Sequence, residues 1–257
     1  MYSINLEGKK GVVFGVANQR SIAWAIAQTL HEAGATLAFT YQNERLKESV
    51  ARLVQSWGDV PLIECDVAQD DHLPRAFAAL KERFGSLDMA VHSIAYALRE
   101  DLEGNFYDTS RLGFRTALEI SAFSFIPIAK HAAELMQSGG SIITMTFNAS
   151  QQVYPGYNVM GTAKAALEQE VRQLAAELGP KGVRVNALSP GPLDTLAARG
   201  IHRFVDLKHL HAERAPLKRN ITHKEVGDAA LFMLSDMASG ITGTILPVDG
   251  GYHIMGV

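Results

Sequence analysis

The sequence holds a single cysteine, Cys65, so neither a disulfide framework nor a thiolate metal cluster is open to it, and a reducing compartment fits. It has no excess of positive charge. Its 24 Lys and Arg stand against 27 Asp and Glu, for a net charge of −3, and the basic residues are dispersed, which argues against nucleic acid as the main ligand. No uninterrupted apolar run of about 18 residues is found, and the polar stretch Met1 to Lys10 lacks the apolar core of a secretion signal. A soluble, cytoplasmic protein without a membrane span is the expectation. The three-glycine loop of many dinucleotide-binding proteins is also missing. His209 and His211 have no cluster of further ligands beside them, so they read as solvated histidines and no metal is expected.

What is present is apolar material in a regular order. Hydrophobic residues make up 47% of 257, enough for a full core. Apolar strands are expected at Lys9 to Val16, Thr36 to Thr40, Pro61 to Cys65, Asp88 to His92, Ser141 to Thr146, Val183 to Leu188 and Thr244 to Val248. Helical patterns lie between them: Ser21 to Gly34, Glu44 to Trp57, Asp70 to Phe84, a long one from Asp108 to Met136, Tyr157 to about Leu178, an irregular stretch to about His211, and Lys224 to Leu234. This alternation predicts an α/β fold, a doubly wound parallel sheet (Rossmann-like) of about seven strands with helices on both faces. A closed eight-stranded barrel is the rival, but the second half has too few strand–helix pairs for it. No linker interrupts the pattern, so residues 1–257 read as one domain. Ligands of such sheets sit at the carboxyl ends of the strands, which lines up Gly15, Asp66, Ile94, Phe147 and Leu193 along one edge.

The loop from Gly15 to Ser21 joins the first strand to the first helix. A glycine turn that lets amides approach a pyrophosphate, with a small hydroxyl residue at a helix N-terminus, meets the demands of phosphate binding; an ordinary turn with a serine cap reads equally well. After the second strand, positions 41 to 43 carry no Lys or Arg, and Arg45 and Lys47 are expected to point outward, which favours NADH over NADPH. Asp66-Val67 offers a carboxylate for an adenine amino group, or is a solvated loop. Seven positions separate Tyr157 from Lys164, about two helical turns, so both are expected on one helix face roughly 10 Å apart along the axis. Either they act together or each is an ordinary packed or solvated residue.

Read together, these pieces resemble the short-chain dehydrogenase/reductase superfamily, and within it the divergent enoyl-acyl-carrier-protein reductases. The resemblance spans essentially the whole chain. It is carried by the first loop with Ser21-Ile22, Phe39-Thr40-Tyr41-Gln42-Asn43, Cys65-Asp66-Val67, His92-Ser93-Ile94-Ala95, Gly182 to Ala187, Gly191 to Ala198, and Val248-Asp249-Gly250-Gly251. In the commoner short-chain enzymes the active tyrosine lies four residues before the lysine, and that position is Met160. Six intervening residues, as between Tyr157 and Lys164, mark the enoyl reductase branch.

The resemblance implies reduction of the 2,3 double bond of a trans-2-enoyl thioester on acyl carrier protein by hydride from NADH, the last step of fatty acid elongation, by a homotetramer. It implies that Tyr157 hydrogen-bonds the thioester oxygen where charge develops, and that Lys164 holds the nicotinamide ribose and supplies a positive field. Gly15, Ser21 and Ile22 would line the pyrophosphate, Gln42 the adenosine side, Asp66 and Val67 the adenine. Ile94 with Leu193, Asp194, Thr195, Leu196 and Ala197 would line the nicotinamide half. Ala97, Phe147 and Phe204 would face the substrate, the last from a helical lid near 194–211 over the acyl chain. Many members carry a second tyrosine ten residues before the first; here it is Phe147, with Tyr154 as a substitute hydroxyl from the adjoining loop. A short-chain carbonyl reductase or alcohol dehydrogenase is one alternative, and a catalytically inactive NAD(H)-binding protein another.

Overall fold

The computed structural model describes residues 4–196, 198 and 204–256. Seven strands, β1 (Lys10–Phe14), β2 (Thr36–Tyr41), β3 (Leu62–Glu64), β4 (Met89–His92), β5 (Gly140–Met145), β6 (Val183–Pro190) and β7 (Ile245–Val248), form one sheet in the order 3-2-1-4-5-6-7. Every pairing is parallel. The chain moves outward one way from β1 to β3, then returns to pair β4 with β1, so the switch point lies between those two strands.

The strands alternate side chains between two apolar layers. Val12 and Phe14 of β1 join Phe77, Leu80, Phe125 and Leu167 on one face, and Val13 joins Ile26, Leu30, Val226 and Met233 on the other. The first layer is built by helices α3 (His72–Phe84), α5 (Phe125–Leu135) and α6 (Val159–Leu178), the second by α1 (Ile22–Glu32) and α8 (His223–Leu234); α2 (Glu44–Val54), α4 (Arg111–Leu118) and α7 (Phe204–Arg214) complete the set. A strand covered on both sides must be apolar throughout, which is why these segments are readable as sequence.

Two departures have physical causes. The long helix expected from Asp108 to Met136 is broken into α4 and α5 by a π-helical turn, Glu119–Phe123. Pro127 has no N–H to offer the carbonyl one turn back, and the turn widens ahead of it. The stretch Arg111–Leu135 is by length and composition able to cross a membrane, although no uninterrupted apolar run marks it in the sequence. In the fold its inner side, including Ala117, Ala122, Phe125 and Ile128, is buried core, while Leu112, Phe114, Phe123 and Ile126 are exposed. Strand β6 continues through Ser189 and Pro190, expected as loop, because β7 pairs with both residues.

Candidate active site

The carboxyl ends of the strands gather the predicted residues in two groups, the first around the β1–α1 loop. Gly15 has φ +95°, and a Cβ there would stand 2.0 Å from the Ser93 carbonyl oxygen, so glycine is demanded by the end of β4 as well as by the turn. Ser21 occupies the N-cap position of α1 without capping it. Its Oγ accepts instead from the Ala17 and Asn18 amides at 3.0 and 3.1 Å, and the Ala17 carbonyl is held by Ser49 Oγ at 2.8 Å. The loop is thus internally fixed, and while the Trp24 and Ala25 amides donate to the Ser21 carbonyl, that of Ile22 at the start of α1 is left for an anion. These residues fit a pyrophosphate.

Gln42 is exposed just beyond β2. Lys47 points outward, as expected, and its exposed Nζ lies 3.0 Å from Glu44, its neighbour three residues back on α2, and 5.6 Å from the centre of the Tyr41 ring. Asp66 Oδ1 accepts from the Ala68 amide at 3.1 Å, and the Asp66 amide donates to His72 Nδ1 at 3.0 Å, giving the β3–α3 turn a fixed shape. Val67 is half-buried against the core, and Ile94 follows β4 in the same way.

The second group surrounds Tyr157. This residue does not open the helix: α6 begins at Val159, and Asn158 has φ +36° and ψ −121°. With the Met160 amide donating to the Tyr157 carbonyl at 3.0 Å, residues 157–160 form a tight turn of type II′ geometry, which a non-glycine residue adopts only under strain. Asn158 Nδ2 donates to the Gly104 carbonyl at 3.3 Å and holds the turn from across the cleft. The Tyr157 ring centre is 5.1 Å from that of Phe147, whose other neighbour, Tyr154, is at 4.8 Å. Ala97 packs into the same small apolar cluster as Tyr157, Val159 and Met160. Burial pushes the Tyr157 phenol well above its ordinary value, so it stays protonated.

Lys164 lies in α6, only 4% exposed, with Nζ donating to the Met145 carbonyl at the end of β5 at 2.8 Å. Burial lowers its pKa to about 8, against the opposing pull of Glu168. Met160, where the commoner enzymes place tyrosine, is buried, with its sulfur 3.7 Å from Ser121 Oγ. The Tyr154 hydroxyl accepts from Asn148 Nδ2 at 3.2 Å, and burial pushes it up to about 12.

Several polar residues here were not anticipated. Glu168, 4% exposed, accepts from Thr146 Oγ1 at 2.8 Å and Ser150 Oγ at 2.6 Å. Its signal in the sequence was a carboxylate on an otherwise apolar helix face, one turn after Lys164 and beside Leu167 and Val171. His92 is fully buried between Thr144 Oγ1 at 2.7 Å and Ser124 Oγ at 3.0 Å. Burial, with the Lys164 charge, lowers its pKa to about 3, so it is neutral.

The segment after β6 is divided. Leu193 buries its side chain in the α1–α8 layer, which leaves only its backbone for a ligand. Asp194 is exposed and paired with Lys208 at 2.5 Å, Thr195 Oγ1 accepts from the Ala198 amide at 3.1 Å, and Leu196 is exposed. Ala197 lies outside the described residues. Phe204, half-buried, opens α7, which runs past the expected end at His211 to Arg214. His211 is not solvated: it is 2% exposed and stacks on Tyr252 at 4.6 Å, while His209 is exposed.

Comparison with known proteins gives a consistent result. The family model described as enoyl-(acyl carrier protein) reductase matches residues 15–253. Enoyl-acyl-carrier-protein reductase (NADH) FabI of Bacillus cereus is 49% identical over 253 residues, covering 98% of this chain and 99% of that protein. The corresponding Nostoc protein is 46% identical over 257 residues, covering 99% and 100%. Among solved structures, the Bacillus cereus reductase with NADP+ and an indole naphthyridinone superposes with TM-score 0.96 at 48% identity, covering 98% of this chain and 99% of that one. The Anaplasma phagocytophilum reductase in complex with NAD superposes with TM-score 0.95 at 44% identity, covering 99% of each chain.

Proposed function

The chain belongs to the enoyl-acyl-carrier-protein reductase family of the short-chain dehydrogenase/reductase superfamily, and we propose from its geometry how its residues carry out NADH-dependent enoyl reduction. When bound, NADH supplies the hydride that adds to the β-carbon of a trans-2-enoyl thioester and drives negative charge onto the thioester oxygen. Tyr157 donates a hydrogen bond to that oxygen. Because burial keeps the phenol protonated, it meets the developing charge as a donor and needs no preceding proton transfer. Lys164, an ammonium fixed under the Met145 carbonyl, holds the nicotinamide ribose hydroxyls and lends a positive field to the phenol as charge builds. Phe147 walls the same space with a ring that cannot donate, so Tyr157 is the only phenol on the enolate; Ala97 and Phe204 complete the acyl site.

Gly15, Ser21 and Ile22 hold the pyrophosphate, Gln42 the adenosine ribose, Asp66 and Val67 the adenine. Ile94, the Leu193 backbone and the segment through Asp194, Thr195, Leu196 and Ala197 hold the nicotinamide half. With no unneutralised cation at 41–44 and Lys47 paired to Glu44, NADH is preferred over NADPH. The substrate is an enoyl chain on acyl carrier protein. We further read residues 1–257 as one domain with a lid near 194–211, working in the cytoplasm as a homotetramer, which the exposed apolar side chains of α4 and α5 support.

The observation that carries the reading is the half-buried Tyr157 ring 5.1 Å from Phe147, followed seven positions later by a buried lysine. The test is NADH oxidation with a crotonyl or dodecenoyl thioester, run beside a panel of ketones. Turnover of ketones alone would favour the carbonyl reductase reading, against which buried Met160 stands; tight NADH binding with no turnover would favour an inactive binding protein.

A further inference from the structure

Lys164 presents a problem that its own contacts do not solve. A buried ammonium bound to one carbonyl is poorly compensated, and its burial favours loss of the proton close to the pH at which the enzyme must work. The groups that face it can be named from each neighbouring element. From β4 comes His92, which is neutral; from β5 the Met145 carbonyl; from the turn before α6 the Tyr157 phenol, which is protonated. The negative charge acting on it comes from Glu168, one turn later on α6, where residues four apart share a face.

Glu168 is built into place. Thr146 and Ser150, on the chain leaving β5, both donate to its Oε1 at 2.8 and 2.6 Å. The Asn148–Ser150 turn is brought against α6 by Gly161, where a Cβ would stand 2.8 Å from the Ala149 carbonyl oxygen. Beyond Glu168 lies a cavity of about 110 Å³, lined also by Ser150, Gln151, Ser189 and His253. His253 is paired with Asp249 at 3.0 Å, so it is not a competing partner for the carboxylate. The two hydroxyls thus fix the Glu168 carboxyl group at the edge of this cavity, on the helix face it shares with Lys164.

We propose that Glu168 is a positioning residue for the reduction: a carboxylate anchored by Thr146 and Ser150 at the edge of this cavity, serving as the fixed counter-charge that keeps Lys164 an ammonium. It touches neither substrate nor cofactor, and its effect passes through Lys164, so the inference rests on the role given to Lys164 above.

The test is the pH profile of kcat/KM for NADH oxidation with dodecenoyl thioester, in the wild type, Glu168→Gln and Glu168→Asp. In Glu168→Gln the loss of activity on the alkaline side moves to lower pH by about one unit or more, the scale of one nearby charge. At the acid end its activity returns to within a few-fold of wild type, and Glu168→Asp follows the wild-type profile. Should Glu168→Gln fail to fold, Glu168→Ser, whose side chain the adjoining cavity can hydrate, carries the same comparison. An unmoved alkaline limb, or an equal loss at every pH, overturns the proposal. Wild-type protein that leaves the thioester untouched overturns the reading of the site itself, and so separates the two failures.

Discussion

Tyr157 and Asn158 show how the proposed catalytic group is set by one backbone angle. Tyr157→Phe removes the one donor aimed at the enolate oxygen, so kcat falls by about one to three orders of magnitude while the NADH dissociation constant, read by fluorescence titration, stays nearly unchanged. Asn158 pays for its position with positive φ, which glycine adopts freely. Asn158→Gly therefore keeps the turn and much of the activity, whereas Asn158→Leu loses kcat more than it raises KM, measured by steady-state kinetics. His92 carries a pH signature. Its pKa is lowered to about 3 by burial, so below its ordinary value near 6.5 the unfolded chain takes up a proton that the folded chain refuses. Stability is full above that value and declines as pH falls toward 3; in His92→Asn the fall in melting temperature across this window is shallower. The Tyr157–Lys164 spacing was legible because it is a matter of counting residues. The strained turn was not, since the Gly104 carbonyl that holds Asn158 comes from 54 residues away.

Among elements, the strands were legible nearly to the residue, the inner ones above all, because double burial leaves those no choice but apolar side chains. The site elements were less so. A period of 3.6 runs through Arg111 to Leu135 without revealing the π-helical turn, which answers to Pro127 and to packing on the sheet. His211 was misplaced for a related reason: its partner, Tyr252, is brought to it by the tertiary fold. The β1–α1 loop yields a sharp prediction at this scale. In Gly15→Ala the new methyl meets the Ser93 carbonyl, so the loop must separate from the end of β4. NADH affinity falls at least about tenfold, and thermal denaturation shows a lower melting temperature, strain of this kind costing about 1–3 kcal/mol.

For the whole molecule, the parallel sheet brings the β1–α1 loop, the β3–α3 turn and the Tyr157–Lys164 pair to one edge, which is why segments scattered over the sequence can form the single site proposed. The face of α4 and α5 away from the core keeps Leu112, Phe114, Phe123 and Ile126 exposed, an apolar surface that assembly would cover. Sedimentation of the wild type is expected to give a tetramer, and Leu112→Glu with Phe123→Glu a smaller species. The central claim concerns chemistry, and one assay reaches it most directly: loss of NADH absorbance with a trans-2-enoyl thioester, in parallel with ketones. Rapid thioester-dependent oxidation with ketones inert is the predicted result. Oxidation driven by ketones, or NADH bound and never consumed by any enoyl thioester, would contradict it.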